Sequence, residues 1–243
     1  SDFTDRHKFA ADDTYPSSEK LYDWELGYQY TAPRLSLGVN LYYMKYKDQL
    51  VPTGMVNDDS NALNTNVPDS YRRGVELSAS WRATGWFTVG ANATFSQNRI
   101  ENYVDALKDS PTYGKELGDM TIAYSPDVIA NALLNFHHRG FEAVFHTQHV
   151  GKQYFTNNEN DALSLDAYCV TNLNLAYTFR TRSARSVRLG LLINNLFNAE
   201  YESNGYGYSY MDTWSGPAPV RIDEAYYFPQ APLNVLANVT VKF

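Results

Sequence analysis

The fold is decided by residues 233–243, which read LNVLANVTVKF. Apolar residues occupy every odd position of this stretch, and all but one of the even positions are polar. Successive side chains of a β-strand point to opposite faces, so the alternation predicts a strand with one apolar face. That face would carry Leu233, Val235, Ala237, Val239, Val241 and Phe243. The stretch is about twice as long as the usual strand of a soluble protein.

The same alternation recurs upstream in eight more segments. They are residues 18–30, 35–51, 71–82, 86–98, 127–137, 141–154, 166–179 and 187–197. Their polar faces are built mainly from Ser, Thr, Asn, Gly and Gln, as in a water-filled lumen, whereas Lys and Glu are expected on the solvent face of a soluble β-sandwich. The sequence therefore predicts nine long antiparallel strands in meander order.

The predicted connections alternate between short and long. The short ones are residues 31–34, 83–85, 138–140 and 180–186, and the long ones are residues 52–70, 99–126, 155–165 and 198–232. Outer-membrane barrels have short turns at the periplasmic end and long loops at the extracellular end. The short turns and their flanks carry no acid but six arginines, Arg34, Arg82, Arg139, Arg180, Arg182 and Arg185. The simplest interpretation of this concentration of arginines at the short turns is that they are ordinary surface charges in contact with solvent.

Aromatic residues collect where the predicted apolar faces meet the short turns. The predicted girdle comprises Tyr28, Tyr30, Trp81, Trp86, Tyr177 and Phe179. Tyrosine and tryptophan combine an apolar ring with a polar tip, which suits the headgroup level of a bilayer. Together with the strand length, this favours an all-β transmembrane barrel over a soluble sandwich, with membrane lipid as its surroundings.

Composition and spacing exclude several other classes of protein. The formal net charge of −7 argues against a nucleic-acid binder, and the single Cys169 excludes an internal disulfide. Neither His137 and His138 nor His146 and His149 have the i, i+2 spacing that would put a metal pair on one face of a strand. We therefore expect no metal site, no cofactor and no catalytic centre, so the chain is not expected to be an enzyme.

An odd number of strands is unusual for a complete barrel. Bacterial single-chain barrels have even strand counts, and lipid does not tolerate the two unpaired edges that nine strands would leave. Either one strand is misjudged or residues 1–243 form part of a larger barrel, which is the interpretation we favour.

Three motifs carry a family resemblance. They are NNLFNAEY at residues 194–201, RGVEL at residues 73–77, and YFPQAP at residues 227–232 before the final strand. They resemble the "N-L-F-N/D-x-x-Y", "R-G-x-E" and "P-x-P-G-R … F" segments in the C-terminal barrel of TonB-dependent outer-membrane receptors. Residues 231–234 read APLN and depart from the Pro-Gly-Arg of the third pattern, which weakens that motif alone.

The resemblance implies a fold and a set of partners. Such receptors are barrels of about 22 strands with a plugged lumen. Residues 1–243 would then be the C-terminal portion, with about nine strands, and the plug domain and earlier strands would lie outside this chain. The terminal aromatic, Phe243, would be the signal read by the barrel-assembly machinery. The protein would reside in the bacterial cell outer membrane and draw energy from an inner-membrane partner through its missing N-terminal region.

The resemblance also implies a function, the energy-coupled import of a scarce small-molecule ligand such as an iron–siderophore complex, haem or cobalamin. A passive porin or a surface adhesin would use the same barrel and remains the alternative. The long loop at residues 198–232 is rich in aromatic residues, which could stack on a ligand or pack among the loops. The candidate ligand contacts are Tyr206, Tyr208, Tyr210 and Trp214.

Overall fold

A computed structural model describes residues 16–56 and 62–243 of the chain, and strands dominate it. Within these residues, the strands are β1 (Lys20–Ala32), β2 (Leu35–Val56), β3 (Ala62–Arg82), β4 (Phe87–Ile100), β5 (Met120–Thr121), β6 (Val128–His138), β7 (Phe141–Val150), β8 (Gln153–Tyr154), β9 (Ser164–Leu165), β10 (Tyr168–Phe179), β11 (Ser186–Asn194), β12 (Glu202–Asp212), β13 (Val220–Pro229) and β14 (Asn234–Lys242). A short 3-10 helix (Asp161–Leu163) precedes β9. No helix in this part of the chain is long and apolar enough to cross a bilayer.

The main sheet is an antiparallel meander. Its order is β1-β2-β3-β4-β6-β7-β10-β11-β14, and the two-residue β5 adds to the end of β4. The predicted strands and their meander order are thus confirmed. β1 and β14 are the two ends of this order, so the sheet is an open arc and does not close on itself.

Strand register places the predicted apolar residues on one face. Leu191 lies opposite Leu175 on β10 and Ala237 on β14, whereas the adjacent Leu192 lies opposite Asn174. The apolar face has no protein layer over it, so Leu26 is 70% exposed and Val239 is 65% exposed. A sheet whose apolar face is bare is stable when that face meets lipid.

The buried side chains lie toward the long-loop end of the sheet. One cluster comprises Val51, Val67, Ile100, Tyr103 and Ile122. A second cluster, with Phe155, Leu163 and Leu165, lies in the segment that connects β7 to β10. The loops at this end are therefore packed structures with small cores of their own.

The prediction of a loop over residues 52–70 is wrong, apart from residues 57–61, which lie outside the described residues. β2 continues to Val56 and β3 begins at Ala62, so these strands have 22 and 21 residues. Beyond the bilayer a strand needs no apolar face, and Pro52 and Gly54 interrupt the alternation on which the prediction depended. A register shift between Pro52 and Val56 marks the same irregularity.

The prediction of a long loop without strands over residues 198–232 is also wrong, because β12 and β13 form a separate antiparallel hairpin there. Two strand ends shift as well. β7 ends at Val150 and is followed by β8, which pairs with β9, and β11 ends at Asn194. Loop residues 99–126 contain the short β5 and an isolated bridge between Val104 and Glu116.

The NNLFN motif forms the turn that ends β11. Asn195 has a positive φ of 51° and is buried, and its side chain both accepts from the Ala199 N–H and donates to the Ala199 carbonyl, each at 2.8 Å. The backbone N–H of Asn195 donates to the side chain of Asn172 on β10. Asn198, also at positive φ, accepts from the N–H of Leu233, just before β14. The motif therefore fastens the ends of three neighbouring strands.

Candidate functional site

The loops at the long-loop end are joined by buried hydrogen bonds. Asn157, which is fully buried, accepts from the Ala123 N–H at 2.7 Å and donates to the Pro52 carbonyl at 2.6 Å. Glu159 accepts from the Thr121 N–H at 2.9 Å. These bonds tie the end of β2, the segment before β6 and the segment after β7 into one platform.

The β12–β13 hairpin rests on this platform through two glycines. A Cβ atom on Gly205 would lie 2.7 Å from the ring of Phe155, and one on Gly207 would lie 2.9 Å from both Phe155 and Leu163. Only a residue without a side chain allows such an approach. Phe155, which is 2% exposed, also contacts Tyr227, with ring centroids 5.8 Å apart.

The other face of the hairpin carries stacked aromatic rings. Tyr206 stacks on its cross-strand partner Tyr226 with centroids 4.9 Å apart, and Phe228 lies 6.1 Å from Tyr206. Tyr208 lies 6.3 Å from Tyr226 and 6.4 Å from Tyr210. We call these five residues the aromatic ladder. Offset stacking of this kind holds each ring in place and leaves broad apolar surface available.

One carboxylate lies within the ladder. Glu224 accepts hydrogen bonds from the hydroxyls of Tyr208 at 2.7 Å, Tyr226 at 2.8 Å and Tyr210 at 3.2 Å. The Tyr208 hydroxyl, followed by that of Tyr226, lowers the pKa of Glu224 below its usual value, so the group is ionised at neutral pH. The same hydrogen bond to Glu224 is the main cause that raises the pKa of Tyr208. The ladder is therefore a rigid anionic surface with aromatic flanks.

The structure brings together three of the four predicted contact residues. Tyr206, Tyr208 and Tyr210 share one face of β12, whereas Trp214 lies in the turn between β12 and β13, 77% exposed and outside the ladder. Sequence reasoning missed the β13 members and Glu224 because β13 shows no regular alternation. The alternation of tyrosine with small residues in residues 205–210, GYGYSY, is the local sequence signal that indicates this strand.

Comparison with known proteins identifies the family. The family described as TonB dependent receptor-like, beta-barrel matches residues 9–196. The chain belongs to this TonB-dependent receptor family. It is similar to the pesticin receptor of Yersinia pestis, with 23% identity over 190 residues, which cover 78% of this chain and 26% of that receptor. This receptor segment thus spans about a quarter of the length of the curated relatives it matches.

Solved structures agree with this assignment. The receptor segment resembles the ferric yersiniabactin uptake receptor FyuA from Yersinia pestis, with a TM-score of 0.63 and 20% identity over 93% of this chain and 30% of FyuA. It also resembles the copper transporter OprC, with a TM-score of 0.62 and 20% identity over 92% of this chain and 31% of OprC. At this identity the likeness shows the fold, in which the open sheet corresponds to part of a receptor barrel.

The predicted girdle residues of this receptor segment lie near the short-turn end. Trp86 precedes β4 and packs with Phe87 and Phe136, with centroids 6.0 and 6.1 Å away. Tyr177 stacks on Phe179 at 5.9 Å. The remaining girdle residues are exposed: Tyr28, Tyr30 and Trp81. Phe243, which follows the end of β14, is 93% exposed.

Two histidines of the receptor segment, His146 and His149, lie on opposite faces of β7. His146 is opposite Leu133 and Asn172 on the polar face, and His149 is opposite Ala130 and Cys169 on the other. Across residues 16–56 and 62–243, no group of three or more His, Cys, Asp or Glu side chains is placed to hold a metal ion.

Proposed function

We propose that this chain is the C-terminal part of the barrel of an outer-membrane receptor that imports a scarce ligand. The family assignment and the resemblance of the 194–201 motif and final strand to the end of such barrels support this placement. A plug domain and the earlier strands would be supplied by the remainder of the protein. Energy would come from an inner-membrane partner that contacts the region before the barrel, and the exposed Phe243 would be read during assembly.

The short-turn end is proposed to face the periplasm. The girdle then lies at the inner headgroup level, and the platform and the ladder lie outside the cell. This orientation is supported by the two kinds of connection, because outer-membrane barrels keep short turns on the periplasmic side. It also puts the ladder where a ligand arriving from the medium would first meet the receptor.

The aromatic ladder is the observation that carries the proposed ligand contact. Its rings are fixed by stacking and by three hydrogen bonds to Glu224, so a ligand would bind without having to order them. Iron–siderophore complexes, haem and cobalamin all present extended planar or apolar surface that can lie against such rings. The printed names of the relatives, which refer to pesticin, ferric yersiniabactin and copper, concern those proteins and leave the choice among these ligands open.

The test is a pair of substitutions in the full-length receptor. Tyr206→Ala with Tyr226→Ala removes the central stacked pair, and Tyr113→Ala removes an exposed tyrosine outside the ladder as the matched control. Uptake of ferric hydroxamate, ferric catecholate, haem and cobalamin would be measured in cells that lack other receptors. We expect the double variant to lose at least tenfold in affinity for whichever ligand the wild type takes up, with normal amounts of protein in the outer membrane.

Dependence on energy separates import from the porin alternative. Uptake by a receptor should stop when the inner-membrane partner is deleted, whereas diffusion through a porin should continue. If uptake survived both that deletion and the loss of the ladder, the passive barrel would be the correct description. If no ligand were taken up but cells still adhered through this protein, a surface adhesin would be the correct description.

A further inference from the structure

A cleft lined by basic residues lies at the short-turn end of the sheet. It has a volume of about 830 Å³ and opens among the ends of β6, β10, β11 and β14. Four cationic residues line it, namely Arg139, Arg180, Arg185 and Lys242. The other lining residues are Gly140, Thr178, Phe179, Ser186 and Phe243. We call this set the basic cleft; it gathers three of the six arginines at the short turns, together with a lysine.

The turn between β6 and β7 is held against the end of β10. Its two central residues, Arg139 and Gly140, have φ values of 49° and 85°. A Cβ atom on Gly140 would lie 2.3 Å from the Thr178 carbonyl, and the Thr178 N–H donates to the Gly140 carbonyl at 2.8 Å. Asn and Gly are the usual residues at such positions, because at positive φ a Cβ atom crowds the carbonyl oxygen, which Gly avoids and Asn tolerates. The turn therefore places Arg139 in the wall of the cleft, beside the end of β10.

The positive charge of the cleft is not neutralised within the described part of the chain. The ion pairs found there involve none of the four cations. Glu142, two residues beyond Gly140, is occupied by Arg188, whose two terminal nitrogens donate to its oxygens at 2.9 and 2.8 Å. Four like charges around one opening repel each other, so the arrangement favours an anion between them.

The lining also indicates what kind of anion fits. Two aromatic rings, Phe179 and Phe243, lie beside the charges, and Phe179 is stacked on Tyr177 of the girdle. Thr178 and Ser186 supply hydroxyl donors from the polar face of the sheet, whereas Phe179 and Phe243 belong to the apolar face, so the cleft lies at the rim where the two faces meet. A free phosphate would use the cations and hydroxyls but not the rings. A phospholipid would use both, because its phosphate is covalently joined to apolar chains at the level of the girdle.

We propose that the basic cleft binds the headgroup of an anionic phospholipid in the periplasmic leaflet. The inference goes beyond ligand import and depends only on the proposed orientation of the barrel in the membrane. The lipid phosphate would lie among the four cations, and the start of its acyl chains would lie against Phe179 and Phe243. The arginines at the other short turns would remain ordinary solvated charges.

The experiment compares two triple variants of the full-length receptor in detergent, with lipid binding followed by native mass spectrometry. The cleft variant carries Arg139→Gln, Arg180→Gln and Arg185→Gln. The control carries Arg34→Gln, Arg82→Gln and Arg182→Gln, which removes the same charge from short turns outside the cleft. Phosphatidylglycerol is the probe, and phosphatidylethanolamine and glycerol phosphate are the comparison compounds.

We expect the cleft variant to bind phosphatidylglycerol roughly a hundredfold more weakly than wild type, since each cation at an anionic lipid surface is worth about fivefold in affinity. The control variant should stay within about threefold of wild type. A version with lysine at the three cleft positions should retain most of the binding, which separates a loss of charge from a failure to fold. Import of the receptor's own ligand, measured separately, should continue in the cleft variant.

Several results would overturn the proposal. Equal losses in the two triple variants would mean that general surface charge attracts the lipid. Wild-type binding of phosphatidylethanolamine as tight as that of phosphatidylglycerol would remove the role of the cations. Competition by glycerol phosphate at the same concentration as the lipid would identify a soluble phosphate site, and displacement of the lipid by an acidic peptide at lower concentration would identify a protein partner.

Discussion

Replacing Phe155 by alanine should loosen the β12–β13 hairpin while the barrel wall stays intact. Phe155 is 2% exposed, lies under Gly205 and Gly207, and contacts the rings of Tyr124 and Tyr227 at 5.7 and 5.8 Å. Truncating a buried phenylalanine to alanine typically costs about 3–5 kcal/mol. Because the hairpin belongs to a separate two-stranded sheet, this cost should appear as local opening of the hairpin.

Hydrogen exchange on the full-length receptor would measure this loss. A cost of about 3 kcal/mol corresponds to exchange more than a hundredfold faster at the backbone amides of β12 and β13. The matched control is Phe197→Ala, since Phe197 is 75% exposed and its removal should leave the hairpin unchanged. The reasoning would be refuted if protection of β12 were unaffected by the loss of Phe155, or if β10 and β11 lost protection equally.

Three further predictions concern the ladder, the barrel wall and the turn after β11. The pKa of Glu224 is lowered below its usual 4.5, so the hydrogen bonds that the ionised carboxylate accepts are present at neutral pH and are lost as the pH falls through that lowered pKa. Ligand affinity, measured by a binding titration, should fall over the same pH range in the wild type and change little with pH in Glu224→Gln. Aspartate on the apolar face should impair membrane assembly, since a charge near the midplane costs about 2–4 kcal/mol for arginine and somewhat less for aspartate. Aspartate on the polar face should be tolerated, and equal yields of folded protein would contradict the register. The apolar positions are Val89, Leu175 and Val239, and the polar ones are Asn92, Asn174 and Asn238. Asn195→Ala leaves the Ala199 N–H without its partner and should cost about 1–3 kcal/mol, seen as a lower denaturant midpoint. Asn158→Ala is the control and should have a smaller effect, because among the described residues the Asn158 side chain accepts only from the Thr156 hydroxyl, at 2.7 Å, and supports no backbone N–H.

The barrel wall could be predicted from the sequence because lipid imposes the alternation. In the membrane-spanning part, each strand must present apolar residues outward at every second position, as Leu189 and Leu191 do on β11. Beyond the bilayer this constraint ends. The extension of β2 to Val56 and the whole of β13 therefore carry no regular pattern, although backbone pairing makes them strands.

The candidate site could be predicted only in part for the same reason. The concentration of aromatic residues in one segment predicts Tyr206, Tyr208 and Tyr210 as ligand contacts, but their common face depends on β12, which the sequence pattern does not predict. The role of Glu224 follows from the pairing of β12 with β13, which puts it opposite Tyr208. Cross-strand pairing over more than a dozen residues of intervening chain leaves no local signal in a single sequence. The same holds for the basic cleft, whose lining comes from four separate strand ends.

The length of the β2–β3 hairpin sets how far the receptor stands above the cell surface. At about 3.3 Å per residue, a strand of 22 residues extends about 70 Å, whereas about 9–11 residues are enough to cross the bilayer. With the usual strand tilt of about 40°, the remainder rises roughly 28–33 Å above the headgroups. Inserted as proposed, this hairpin would be a rigid support at the cell surface, and the connection after β7 packs against its far end, at Pro52 and Gly54. Because the platform that carries the ladder is tied to the end of this hairpin, we expect that shortening β2 and β3 would lower the ladder toward the headgroups.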